Sequence, residues 1–219
     1  MQLDVFTLIP HAFAWMTERR PIAAVLGDEL DLRFHSYRDT TPLRAGQVDD
    51  EPYGGGAGMV LRVDAVAAAL DAVYGSSPTH RVIALTPQGR QLDQALVEEL
   101  ACEPRLTLLS ARFEGFDERV LEHLATDAVS IGQYVLSGGE LAAMVLLDAI
   151  ARRLPGALGS EESGLVESFS AALNGGLEYP HYTRPAEFRG WRVPDVLLSG
   201  DHARIDDWRS EQSRRRSVR

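Results

Sequence analysis

Residues 130–140 read Ser130-Ile131-Gly132-Gln133-Tyr134-Val135-Leu136-Ser137-Gly138-Gly139-Glu140. Three glycines fall in this window, directly ahead of a strongly apolar run with helical patterning from Gly139 to Leu154 that stops before Pro155-Gly156. Glycine carries no Cβ, so a ligand can lie against bare main chain there, and recognition falls to backbone N–H and C=O groups. The same residues would also serve as turn punctuation. Two further loops of similar character come earlier in the chain and favour the ligand reading.

Working outward, apolar runs alternate with helical patterns. Strands are predicted at Leu3 to Ile9, Asp31 to His35, Arg81 to Thr86 and Arg105 to Ser110. Helices are predicted at Ala65 to Tyr74, Gln91 to Ala101, Asp117 to Leu124, Gly139 to Leu154 and, near the end, Ser199 to Gln212. This alternation implies an α/β fold with a mostly parallel sheet covered by helices. Ligands of such sheets sit beyond the carboxyl ends of the strands. That rule puts Thr86-Pro87-Gln88-Gly89-Arg90 and Ser110-Ala111-Arg112-Phe113-Glu114-Gly115 on one edge, with 130–139 joining them.

The 219 residues suffice for one substantial domain and a small appendage. Residues 1–158 are assigned to the main domain, 159–176 to a flexible linker and 177–219 to a small helical unit. Gly159-Ser160-Glu161-Glu162-Ser163-Gly164 is too polar to build a core. The last unit is too small for much of a core of its own, so it is expected to dock or to be incomplete.

No run is long and apolar enough to cross a bilayer. Cys102 is the single cysteine, which excludes an internal disulfide and a cysteine metal cluster and fits a reducing cytoplasm. The net charge is −10, yet all 22 basic side chains are arginine. Arginine is the better bidentate partner for phosphates and base edges, though a lysine-free chain equally follows from coding bias. Arg214-Arg215-Arg216-Ser217-Val218-Arg219 is either a phosphate-contacting arm or a solvated terminus.

Asp49-Asp50-Glu51-Pro52-Tyr53-Gly54-Gly55-Gly56-Ala57-Gly58-Met59 is a second glycine-rich loop. Its backbone N–H groups could cradle phosphate, but it is not a P-loop, since no Lys-Ser/Thr follows. Asp49, Asp50 and His181 alone would suggest a phosphate-binding α/β hydrolase. Phe113 beside Glu114 could receive an adenine ring and its ribose hydroxyls.

Six ordered segments together carry a resemblance. They are 49–59 (DDEPYGGGAGM), 87–90 (PQGR), 112–120 (RFEGFDERV), 130–140, 181–185 (HYTRP) and 196–203 (VLLSGDHA). In these segments the chain resembles the bacterial tRNA (guanine-37-N1)-methyltransferases of the SPOUT class, the TrmD family, from Phe6 to about Gln212.

The resemblance implies a trefoil knot in the main domain that binds bent S-adenosylmethionine. The knot loops correspond to Pro87, Gln88 and Gly89; to Ala111, Phe113, Glu114 and Gly115; and to Ser130, Ile131, Gly132, Gln133, Tyr134, Val135, Leu136, Gly138 and Gly139. It implies a homodimer with shared active sites, and methylation of N1 of guanosine-37 in the tRNA anticodon stem-loop. Glu167 in Glu167-Ser168-Phe169 stands where the family has a catalytic Asp. Arg152 matches the Arg that stabilises charge on guanine O6, with Arg153 as its competitor. Asp50, Tyr53, Gly55, Gly56, His181 and Arg184 fall at substrate-binding positions. A divalent-ion (Mg²⁺) dependence is implied without an assigned metal ligand.

Several positions depart from the family. Ala111 replaces a usual Gly, Phe113 a usual Tyr, and Gln133 a common Asp. Asn174-Gly175-Gly176 is a small insertion. The family's C-terminal helical domain continues beyond the point where this chain stops. These departures keep open a second expectation, a catalytically weak dimer that binds cofactor or RNA.

Overall fold

A computed structural model describes residues 1–75, 78–159 and 167–218. The chain divides into two compact units, Met1–Leu158 and Gly159–Arg219.

The first unit is built on five parallel strands in the order β2-β1-β6-β5-β7. These are β1 (Gln2–Thr7), β2 (Asp31–Ser36), β5 (Arg81–Gln91), β6 (Arg105–Ser110) and β7 (Asp127–Ser130). A two-residue antiparallel pair, β3 (Asp49–Asp50) with β4 (Val60–Leu61), brackets the glycine-rich loop. Among the described residues, seven α-helices accompany the strands: α1 (Ala14–Thr17), α2 (Ile22–Val25), α3 (Tyr37–Thr40), α4 (Val63–Tyr74), α5 (Gln94–Ala101), α6 (Glu118–His123) and α7 (Glu140–Ala151).

Strand side chains alternate between the two faces, as the pleat requires. Leu3, Val5, Ile83, Leu85, Leu106 and Leu108 join one buried cluster with α5 and α7. Phe6, Val82 and Leu109 join the other, with Tyr37 of α3, α4 and Val120 of α6. Both faces are covered, so the strands read as continuous apolar runs. Buried Asp4 and Thr107 share the second face with a polar network. Asp4 accepts from Tyr74 Oη at 3.0 Å and Arg105 Nη2 at 3.3 Å, and it pairs with His35 Nε2 at 2.8 Å. Burial pushes the Asp4 carboxyl up, but these partners outweigh it and hold it below 3.8.

Helix ends follow local chemistry. Asp93 caps α5 by accepting from Leu96 N at 2.8 Å. Gly75 ends α4 at φ +70°, a left-handed cap that costs glycine little.

Some predicted boundaries need correction. β1 ends at Thr7 rather than Ile9, because Pro10 opens a 3-10 turn. α5 starts at Gln94 rather than Gln91, because Gln91 pairs with Ser130 in the sheet. α7 is shorter than Gly139 to Leu154 at both ends. Strand β7 was not predicted at all.

In the second unit, Glu187–Phe188 and Trp191–Arg192 form an antiparallel hairpin, followed by helices Asp195–Leu198 and His202–Ser217. The unit is therefore not wholly helical. Of the proposed linker, 160–166 lies outside the described residues. Its remainder is hydrogen-bonded within this unit: Phe169 N donates to Gly176 O at 2.7 Å and Glu178 N to Ser168 Oγ at 3.0 Å. Asn174-Gly175-Gly176 makes the turn that allows this, with φ of +51° at Asn174 and +74° at Gly175. Leu177 N and O then bond Ser217 Oγ and Ser213 Oγ of the last helix, at 2.8 and 2.6 Å.

Candidate active site

Three bends meet at the carboxyl edge of the sheet around a cavity of about 360 Å³, a size typical of small-molecule sites. The first bend interrupts β5. Leu85 pairs with Val129 of β7, the chain leaves the sheet for Thr86 to Gly89, and Arg90 then pairs with Val129 again. The expected loop is thus an excursion within one strand. The Thr86 hydroxyl bonds the Gln88 side-chain oxygen and braces it.

The second bend follows β6. Phe113 has φ +62° and Gly115 φ +107°. A left-handed phenylalanine is uncommon, and such strain clusters at functional sites. Met59 O accepts from Glu114 N at 2.8 Å, and Leu61 N donates to Gly115 O at 2.9 Å. The glycine-rich loop is thereby stitched to the cavity wall. Gly58 suits this position: its φ is +81°, and a β-carbon on it would stand 2.3 Å from Glu114 Oε1 and displace that side chain. Tyr53 of the same loop is fully exposed, and Asp50 pairs with Arg62 at 2.7 Å.

The third bend runs from β7 to α7. Ser130 Oγ donates to Gly132 O at 3.1 Å and Tyr134 Oη to Ile131 O at 3.3 Å. Gly139 N donates to Ala111 O at 2.7 Å, and Arg112 bridges to Gly138, so the third bend is tied to the second. The glycines here are crowded by neighbours within the chain, by a movable Tyr134 ring at Gly132 and by buried groups at Gly138 and Gly139. β-Carbons would stand 2.2 Å from the Tyr134 ring at Gly132, 2.4 Å from Glu140 Oε2 at Gly138, and 3.0 Å from Ser110 Cα at Gly139. This adds packing within the chain to the two sequence expectations, a bare backbone for a ligand and turn punctuation.

Glu140 is buried at the start of α7. Its Oε1 accepts from Thr7 Oγ1 at 3.0 Å and its Oε2 lies 3.3 Å from Arg112 Nη1. Tyr37 is fully buried; burial pushes its phenol well above 10, and the Glu140 charge adds to the shift. Among the lining residues, Arg112 and Glu114 carry the charges.

Arg152 caps the far end of α7, its N–H donating to Asp148 O at 3.1 Å. Arg153 lies 3.6 Å from Glu98 of α5. In the second unit, Glu167 is partly buried and its carbonyl accepts from Ser170 N at 3.1 Å. His181 pairs with Glu178 at 2.9 Å, and Arg184 is exposed.

The model of the family described as tRNA (Guanine-1)-methyltransferase TrmD matches residues 1–219. The chain belongs to the TrmD family. It is 50% identical to the tRNA (guanine-N(1)-)-methyltransferase of Brevibacillus brevis, over 99% of this chain and 88% of that protein. It is also 50% identical to the protein of that name from Dehalococcoides mccartyi, over 100% and 88%. The Geobacillus kaustophilus protein of that name is 46% identical, over 99% and 88%.

With the TrmD-family assignment in place, the residues singled out in the sequence can be located. Of those assigned to cofactor binding, all but Gly89 and Gln133 line the cavity. Gly89 instead packs on β7, where a β-carbon would stand 2.4 Å from Val129 N. Ala111 lines the cavity and also belongs to a buried cluster, so its methyl has a place in the core. Arg112, Glu140 and Thr7 were not assigned as site residues in the sequence. A charged residue just after a Gly-Gly pair, at the start of an apolar helix, was the one available sign for Glu140.

Proposed function

We propose that this chain methylates N1 of guanosine-37 in tRNA, with S-adenosylmethionine as donor and a homodimer as the working form. Membership of the TrmD family supports the reaction class. The observation that carries the donor site is the convergence of three bends on one cavity.

The lining residues fit the donor. Phe113 and Tyr134 present exposed aromatic faces suited to adenine, and Glu114 and Gln88 offer acceptors for ribose hydroxyls. Main-chain groups of 131–139 supply the remaining contacts. When bound, S-adenosylmethionine supplies an electrophilic methyl group on a sulfonium.

The chain's own residues do the rest. Neutral guanine holds a proton on N1, which must leave as the N–C bond forms. The Glu167 carboxylate accepts that proton as general base. Arg152 stabilises the negative charge that grows on O6. The base must leave its stack to be reached, and the loop carrying Tyr53, Gly55 and Gly56, with Asp50, His181 and Arg184, is assigned to holding the RNA. Among the described residues no group of three or more His, Cys, Asp or Glu side chains forms a metal site, so no step is derived through Mg²⁺.

Leu141 and Val145 support the homodimer. They are 56% and 47% exposed on α7, whose other apolar side chains are buried apart from the half-buried Ala149. Apolar residues one turn apart on an otherwise buried helix suit a partner surface. The trefoil knot belongs to this reading through the family alone. A cytoplasmic location belongs to the same reading, since tRNA is the substrate it assigns. Among the described residues no helix is long and apolar enough to cross a membrane.

The test is methylation of two tRNA transcripts that differ only at position 37. One methyl on N1 of guanine in the first, and none in the second, is expected. Equal methylation of both, or of neither, would overturn the reading.

A further inference from the structure

The proposed donor differs from its product by one methyl group and one positive charge. A cavity that prefers the donor can read that charge. Yet Arg112 lines the cavity, and a bare guanidinium would repel a sulfonium.

Glu140 answers that problem. Its carboxylate does not line the cavity; it lies behind Arg112, buried, with Oε2 3.3 Å from Arg112 Nη1. The Thr7 hydroxyl donates to the other oxygen at 3.0 Å and fixes its orientation. Gly138 leaves the space, since a β-carbon there would stand 2.4 Å from Glu140 Oε2 and 3.0 Å from Arg112 Nη1. The first turn of the twelve-residue helix α7 also favours a negative side chain. A carboxylate this buried is costly unless partnered, and the fold partners it with the one cation in the wall.

We propose that Glu140 is a specificity-determining residue. Its charge cancels that of Arg112, so the wall, completed by Glu114, stays net negative and favours the sulfonium donor over the neutral thioether product. The proposal rests on the reading of this cavity as the S-adenosylmethionine site.

Glu140→Gln keeps an acceptor for Thr7 and nearly the same shape while removing the charge. Calorimetric titration of the full chain with S-adenosylmethionine and with S-adenosylhomocysteine reads the effect. Affinity for the donor is expected to fall roughly tenfold, as for one unit charge several ångströms away in a partly screened site. Affinity for the product should hold within about twofold, because its sulfur is neutral. Adding Arg112→Gln to Glu140→Gln should return the ratio of the two affinities toward the starting value.

Equal weakening of both ligands, or an unchanged ratio, would overturn the role of Glu140 and leave the donor site standing. An unsubstituted chain that binds neither ligand would overturn both. If Glu140→Gln does not fold, Arg112→Gln alone decides: the ratio must shift toward the donor, and an unshifted ratio rejects the proposal.

Discussion

Gly89 lies so close to Val129 that a β-carbon on it would stand 2.4 Å from the Val129 nitrogen, and 2.5 Å from the carbonyl carbon of Ala128. Val129 is also the residue that pairs with both Leu85 and Arg90. The first bend therefore returns to the strand it left, and Gly89 is where it does so.

Gly89→Ala should be severe, because the obstacle is backbone and cannot rotate away. Loss of about 2–4 kcal/mol of stability is expected, with loss of donor binding. Denaturant unfolding and calorimetry check this; a variant with unchanged midpoint and affinity would contradict it.

Gly58→Ala should act differently. The obstacle is the Glu114 side chain, which can move, but φ at Gly58 is +81°. A cost of about 1–2 kcal/mol is expected from the backbone strain, with a weakened donor affinity as Glu114 is displaced. The same two measurements separate it from Gly89→Ala.

Asp4 should set part of the acid limit of the fold. Its carboxyl is held below 3.8 in the folded state, so its stabilisation is present above that value and fades as pH falls through the folded one. His80 adds to this from a higher pH. Burial, with the nearby Arg105, holds it below 6.5, so acid favours the unfolded chain once pH drops toward 6.5. Asp4→Asn should cost about 3–5 kcal/mol at neutral pH, as for a buried charge pair broken on one side, and should flatten the acid limb of stability against pH. Urea midpoints between pH 3 and 8, chosen from these values, report it.

The arginines at the end of α7 should part company. Arg153→Ala removes an ion pair at 3.6 Å with a partly exposed Glu98 and should change turnover by less than about threefold. Arg152→Ala should cut single-turnover methylation by about a hundredfold or more with donor affinity preserved, if it faces the charge that grows on O6. The reverse ranking would move the role to Arg153.

Much of the sheet was legible because buried strands carry dense apolar runs. β6, with Leu106, Leu108 and Leu109, was predicted with its observed ends. β7 was not, because Asp127-Ala128-Val129-Ser130 holds one strong strand former and owes its place to pairing with β5. The three bends were legible as motifs, while the reasons for their glycines were not. Gly138 answers to Glu140 and Arg112, and Gly89 to the backbone of β7, about 40 residues on. The contacts of Gly89 with β7 and of Gly138 with Arg112 are set by the fold and leave no local pattern, whereas Glu140 stands only two residues from Gly138. Glu167 was readable only through its Glu-Ser-Phe triplet, and the turn at Asn174 to Gly176 that holds that triplet registered as an insertion.

Glu167→Ala should lower methylation by about 10²–10⁴-fold, the usual contribution of a general base, with donor affinity unchanged because the side chain serves the acceptor. Glu167→Asp should retain far more activity than Glu167→Ala. Equal activity of the two substituted chains and the parent would remove Glu167 from the reaction.

The most direct test is a crystal structure of the chain grown with S-adenosylmethionine. Density for the donor is expected among Pro87, Phe113, Glu114 and Tyr134, held by main-chain groups of all three bends. Density seated elsewhere, or an empty cavity at saturating donor, would contradict the site on which the account depends.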